Sequence, residues 1–226
     1  MKTMTALTAS LIIVSATTSA AIAGETREAK ILIERPGLVT TLDDDGGRVE
    51  LYARSHAARE LEYHGGAIVR EPIVEVVFVG AWEKSRADVM RSAIDRVSAS
   101  EAFQSTRQHG VKAAALPITT RTLAGKEKMN DLDLQVMIDR AIENGSLPSR
   151  DENTIYVLFL SRDVASTIGE KNAITDYASY HSHFHTHDVN VRYVVVPFDA
   201  DAKAMNDAAA ASLVRAIVNP DGDGWY

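Results

Sequence analysis

The sequence predicts an α/β fold: a single domain with a mixed β-sheet and packed α-helices, preceded by a signal peptide. Three observations carry that expectation. Two almost wholly apolar runs, Ile73 to Val79 and Thr154 to Leu160, read as central strands buried on both faces. Apolar residues then recur at helical spacing, at Val89, Met90, Ala93, Ile94 and Val97, and again at Leu134, Met137, Ile138, Ala141 and Ile142. Strands and helices therefore alternate after residue 70, as in helices layered on one sheet.

The N-terminus carries Lys2, then the short apolar run Leu11-Ile12-Ile13-Val14, then Ala21-Ile22-Ala23 before Gly24. A positive start, a short apolar stretch and an Ala-x-Ala exit describe a secretory signal peptide over residues 1–23. The run is too short and too rich in Thr and Ser to span a bilayer, and no later stretch does so, so no transmembrane anchor is expected. The expected location is the periplasm or the medium. There is no cysteine, which excludes disulfides, thiol nucleophiles and thiolate metal sites. The net charge of −7 gives no general attraction to nucleic acid or to anionic membrane.

Residues 24–60 read as an N-terminal extension with short strands. Ile31-Leu32-Ile33 ends at Pro36-Gly37, and Val39 to Leu42 leads into the turn Asp43-Asp44-Asp45-Gly46-Gly47. Val49 to Tyr52 alternates and is expected to pair back on the strand before it. The acidic turn is expected to be solvated. The strand Ile73 to Val79 leaves through Gly80-Ala81-Trp82. A helix is expected from Ser85 to about Ala102, with Ser85 and Asp88 as a capping pair. Val111 to Leu123 is β-like, interrupted at Pro117. A second helix begins with Asn130 as its cap, places Asp131 and Asp133 in its first turn, and stops at Gly145. Ser161-Arg162-Asp163-Val164 follows the strand Thr154 to Leu160, at the strand end where α/β sheets favour function. Val191 to Phe198 reads as another buried strand, and Asn206 as the cap of an Ala-rich helix that runs to Val218 and stops at Asn219-Pro220.

Four of the seven histidines, His181, His183, His185 and His187, alternate with Ser182, Phe184 and Thr186. In an extended segment all four rings lie on one side. Same-side neighbours are about 7 Å apart, wider than the roughly 3–4 Å between two donor atoms on a tetrahedral metal. Imidazoles can lean together, so the tract is a candidate site for zinc or another divalent metal, with Asp176 and His64 as further candidate ligands. The competing expectation is a polar loop whose histidines hold nothing. Ser161 or Ser179 with His181 and Asp163 can be written as a Ser-His-Asp set, but no strained nucleophile turn marks it. Asn219-x-Asp221-x-Asp223-Gly224 matches the first half of a calcium loop, without the Glu that completes one, so a glycine-rich turn is expected.

Three stretches together resemble the phosphate-induced protein 1 family, the exordium-like secreted proteins. They are Tyr63-His64-Gly65-Gly66-Ala67-Ile68-Val69 with the strand and Gly80-Ala81-Trp82 after it; the strand to Leu160 with Ser161-Arg162-Asp163-Val164, then Tyr180-His181; and Ala211-Ser212-Leu213-Val214 through Asn219-Pro220-Asp221-Gly222-Asp223-Gly224-Trp225-Tyr226. The similarity covers residues 61–226, which would form the exordium-like α/β domain. It implies an extracellular or cell-envelope protein, with a cell-wall glycan or a protein as partner, and no settled catalytic activity. Some bacterial relatives carry a His-Glu-x-x-Glu pattern on the last helix, similar to zinc peptidases. The matching positions here are Ala211, Ser212, Leu213, Val214 and Arg215, none of them a ligand. Family members often place cysteines just before the His of the second stretch; the nearby positions here are Ile174 and Ala178, so that disulfide is absent. The leading expectation is an exported, non-catalytic binding protein with an accessory metal site at the histidines. Two alternatives stand beside it, a zinc-dependent hydrolase with a degenerate site around His64 and the tract, and a periplasmic metal buffer. Trp225 and Tyr226 are expected either to pack back as a lid or to contact sugar or a partner.

Overall fold

The structure is a computed structural model that describes residues 31–32, 38–42, 48–52, 60–61, 63–148, 151–173 and 175–224. Residues 1–23, expected to be a signal peptide, residues 43–47, expected to be an acidic turn, and the aromatic pair at 225–226 lie outside the described residues. The chain forms a mixed α/β domain. Its elements are β1 (Ile31–Leu32), β2 (Leu38–Leu42), β3 (Arg48–Tyr52), β4 (Glu60–Leu61), β5 (Ile73–Val79), α1 (Lys84–Val97), α2 (Glu101–Thr106), β6 (Ile118–Leu123), β7 (Lys128–Asn130), α3 (Asp131–Glu143), β8 (Thr154–Leu160), β9 (Ala165–Ile168), β10 (Lys171–Asn172), β11 (Ser179–Thr186), β12 (Val189–Val196) and α4 (Ala202–Val218).

The main sheet has the order β2-β3-β11-β12-β8-β5-β6. β12, β8, β5 and β6 are parallel; β11, β3 and β2 add antiparallel neighbours. β2 and β3 pair as the sequence predicts and join the main sheet through β11, while β1 pairs with β4 in a separate two-stranded sheet.

The parallel strands need crossovers, and the crossovers bring helices to both faces. Val74, Val76 and Phe78 of β5 pack with Met90, Ile94 and Val97 of α1 and with Met205, Ala209, Leu213 and Ile217 of α4. Val77 and Val79, pointing the other way, pack with Leu134, Ile138 and Ala141 of α3. β8 is buried along its whole length, so its residues serve both cores. Each such side chain contributes about 1.5–3 kcal/mol of burial, which is why the unbroken apolar run is required.

α3 starts as the sequence predicts. Asn130 accepts from the Asp133 amide and Asp133 accepts from the Asn130 amide, closing a capping box. Gly145 then leaves the helix at φ +78. Behind the cap, Asp131 is only 8% exposed. Tyr180 of β11 and Tyr193 of β12 donate their hydroxyls to Asp131 Oδ1 at 2.7 and 2.8 Å, and Gln135 Nε2 donates to Oδ2 at 2.8 Å. The first turn of α3 is thereby fixed to the β11–β12 hairpin. Burial, followed by the charge of Asp131, pushes the Tyr180 and Tyr193 hydroxyls well above their ordinary range, so they stay protonated donors.

Three boundaries differ from expectation. α1 starts at Lys84 behind Glu83, with no side-chain cap; Asp88 pairs with Lys84 at 2.6 Å instead of capping with Ser85. The expected helix to Ala102 breaks at Ser98, because Ser100 accepts from the Phe103 amide and starts a new helix, α2. α4 begins at Ala202, capped by Asp201, whose Oδ1 accepts from the Lys203 amide; Asn206 lies inside it. The Ala-Lys-Ala-Met run before Asn206 is made of good helix formers, so the helix extends back to the first strong cap. The sequence also gave no sign of the small sheet β10-β9-β7.

Replacing Asp131 with Ala leaves two buried tyrosine hydroxyls without their acceptor. The expected loss is about 2–4 kcal/mol, read from urea denaturation. Tyr193→Phe, which removes one donor from a shared carboxylate, should cost about 1 kcal/mol.

Candidate functional site

Two places collect the chemistry-bearing residues. The first follows from the strand order. The chain leaves β5 for β6 on one side, then crosses back to β8 on the other side of β5. The first crossover, through α1, covers one face of the sheet and the second, through α3, covers the other. The connections after β5 and β8 therefore part, and a crevice opens at the C-terminal ends of these strands, the usual ligand position of an open α/β sheet.

A cleft of about 240 Å³ lies at these strand exits. Ala81, Trp82, Glu83 and Arg86 line it after β5, Ser161 and Arg162 after β8, and Phe198 after β12. Trp82 is held rigidly. Its ring centroid is 5.1 Å from Phe78 and 6.4 Å from Phe159, and its Nε1 donates to the Val79 carbonyl at 3.2 Å. Arg86 lies over the Phe198 ring at 4.5 Å and donates to the carbonyls of Asp199 and Ala200. That contact ties the loop after β12 to α1. Ser161 is 1% exposed, its amide donates to the Val79 carbonyl, and its Oγ has no hydrogen-bond partner. Gly80, at φ +88, is required here: a Cβ would meet Ser161 Oγ at 2.1 Å.

The second place joins the three stretches on which the family resemblance rests. The His181 ring Nε2 lies 3.0 Å from the Asn219 carbonyl. The Asn219 side chain accepts from the Gly224 amide at 2.6 Å, and the Gly224 carbonyl accepts from the His64 amide at 2.8 Å. Asp223 Oδ1 accepts from the Ala67 amide at 3.4 Å, and a Cβ on Gly66 would collide with Asp223. Arg192 grips Asp221 through two bonds, at 2.9 and 3.0 Å, and donates to the Glu152 carbonyl. Burial pushes the Asp221 carboxyl up, but Arg192, through its hydrogen bond and charge, and His183, through its charge, pull it down further, so the net shift is downward. The loop resembling half a calcium site thus turns its acidic and amide groups to internal partners. It is a structural latch.

The tract itself is half of a hairpin. His181, His183 and His185 share one face of β11, as alternation predicts, opposite Val194, Arg192 and Asn190. His187 does not join them. With Asp188 it forms the two-residue turn, at φ 48 and 62, in which both residues are left-handed. His185 Nδ1 lies 3.0 Å from Asn190 Oδ1, and His187 Nδ1 lies 2.9 Å from Thr186 Oγ1. Asp176 accepts from the Asn172 amide at 2.7 Å and closes a separate turn. Among the described residues no group of three or more His, Asp or Glu is arranged to hold a metal ion. His64 and His181 do meet the same closing loop, through a backbone amide and a ring. The Ser-His-Asp set is not assembled, since Ser179 Oγ bonds the Ala208 carbonyl and Ser212 Oγ while His181 turns to Asn219. Ser212 and Arg215, at two of the last-helix positions discussed above, are both buried.

Of the cleft residues, Ser161, Arg162 and Trp82 stood out in the sequence at strand exits; Arg86 and Phe198 did not. Their pairing spans more than a hundred residues, and no local pattern announces it. Among the described residues no helix is long and apolar enough to cross a membrane.

Asp221 offers a pH test. Its folded pKa lies below the unfolded value, so its stabilisation is complete above about pH 4 and is lost as pH falls through the folded value. Asp221→Asn should cost about 2–3 kcal/mol at pH 7. The gap between parent and variant should hold above about pH 4 and narrow as pH falls further in denaturant titrations. Gly80→Ala should also destabilise, by about 2 kcal/mol or more, and should displace Ser161, seen as shifted amide resonances around the cleft. Compared with protein-family models, with curated proteins and with solved structures, the chain has no match.

Proposed function

We propose that this chain is an exported, exordium-like binding protein that holds a small organic ligand in the cleft at the ends of β5, β8 and β12. The observation that carries the reading is the cleft's position at the reversal of strand order, walled by a fixed tryptophan and a stacked arginine–phenylalanine pair. The site is pre-formed. Trp82 is anchored by two core aromatics, and Arg86 by carbonyl oxygens and the Phe198 ring, so little ordering entropy is lost when a ligand enters. Aromatic surface beside polar groups suits a small ring such as a sugar or an aromatic metabolite. The volume of about 240 Å³ fits a single ring better than a polymer, so a glycan would present one terminal unit.

The reading leaves most of the histidine tract to the fold, since His181, His185 and His187 have ring contacts within the chain. Export rests on the leader-like residues 1–23.

Two measurements test the proposal. A neutral and charged fragment library that includes monosaccharides, screened by amide shift mapping, should give ligands whose shifts centre on residues 80–86, 161–162 and 198. Trp82→Ala should weaken them about tenfold or more while the fold persists. Ligands that map elsewhere and ignore Trp82→Ala would sink the cleft reading. Separately, protein recovered from periplasm or medium should begin at Gly24 on N-terminal sequencing; an intact Met1 in that fraction would sink export through this leader.

A further inference from the structure

We infer that the ligand of this cleft is a monocarboxylic acid: its carboxylate meets Arg162 and Arg86 beside the first turn of α1, and its ring lies on Trp82 and Phe198. The inference rests on the cleft being the ligand site. It is carried by charge that the fold leaves unanswered. Arg86 is held by two neutral carbonyls and an aromatic face, and its buried Nε has no hydrogen-bond partner. Neither Arg86 nor Arg162 has a carboxylate partner among the described residues, although the chain as a whole is acidic. Arg162 is exposed at the rim. A guanidinium offers paired donors matched to a carboxylate, and a partly water-excluded one gains more from an anion than a surface one does.

Two further groups agree. α1 is 14 residues long and opens at the cleft-lining Glu83 without a side-chain cap, which leaves the positive end of the helix dipole beside the cleft. Ser161, 1% exposed and lining the cleft, has a hydroxyl with no partner, and a hydroxyl donates readily to a carboxylate oxygen. Buried polar groups are normally bonded, so an unmet hydroxyl on the floor of a cleft marks a place where a partner is missing.

The balance of charge sets the anion. Two guanidiniums and one carboxylate, Glu83, line the cleft and leave a single net positive charge. That matches a monoanionic carboxylate better than a phosphate ester of nearly two charges, whose second charge would face Glu83 unpaired. The occupant predicted by these features is one ring bearing one carboxylate.

The test uses three acid and amide pairs of equal shape: benzoate and benzamide, phenylacetate and phenylacetamide, glucuronate and glucuronamide. Dissociation constants come from ligand-observed NMR titration of the full mature chain at low salt. At least one acid should bind tenfold or more tighter than its amide. Arg162→Gln, at an exposed position, should abolish that advantage by weakening the acid far more than the amide, leave the Tm unchanged, and be partly rescued by Arg162→Lys. Ser161→Ala should weaken the same acid a few-fold. If acids and amides bind alike at the cleft, the acid inference falls and the cleft reading stands. If an acid's advantage survives Arg162→Gln undiminished, the inference also falls. If no member of the panel binds, the inference falls, and the library screen alone decides the cleft.

Discussion

Everything in this molecule follows from burying β5 and β8 on both faces. A strand whose backbone and side chains are removed from water on two sides needs a helix layer above and below. The chain meets that demand by sending one crossover through α1 and the next through α3. The crossovers must then leave the sheet in opposite directions, and the gap between them is a consequence of topology before any side chain is chosen. Trp82, Arg86, Ser161, Arg162 and Phe198 furnish a crevice that the burial constraint has already opened.

Polar groups elsewhere are used to fix the layers in place. Apolar packing is non-directional, so α3 sliding along the sheet would lose little contact area. Asp131, with hydroxyls from two different strands, singles out one position. The closing loop does the same on the opposite face through Arg192 and Asp221. Glu75 shows the cost of such devices. It is 1% exposed on β5 beside Thr119 and Arg121, and burial raises its pKa despite the opposing charge of Arg121.

The strands β5 and β8 could be read from the sequence because two-sided burial leaves an unbroken apolar run. α3 could be read because Asn130 and Asp133 cap it by local chemistry. The break between α1 and α2 could not, since Ser98 and Ser100 sit well enough in a helix that only the Phe103 amide reveals the new start. The histidine tract was half legible. Period-two alternation placed His181, His183 and His185 together, but the turn at His187-Asp188 contains no glycine and gave no warning. The cleft was legible as strand exits and not as a set, because Arg86 meets Phe198 only through the folded sheet. The resemblance motifs were legible as words. Their meeting at Asn219, Gly224 and His64 required the fold.

That meeting has a kinetic side. The His64 amide is bonded to the Gly224 carbonyl, so the first and last parts of the α/β domain hold one another. A chain synthesised from its N-terminus cannot close this junction until residue 224 has been made, and β11 and β12 stay unlatched until then. Such contacts between distant residues slow folding. Here the junction at His64 joins residues 160 positions apart, among the most distant in sequence of the contacts described above.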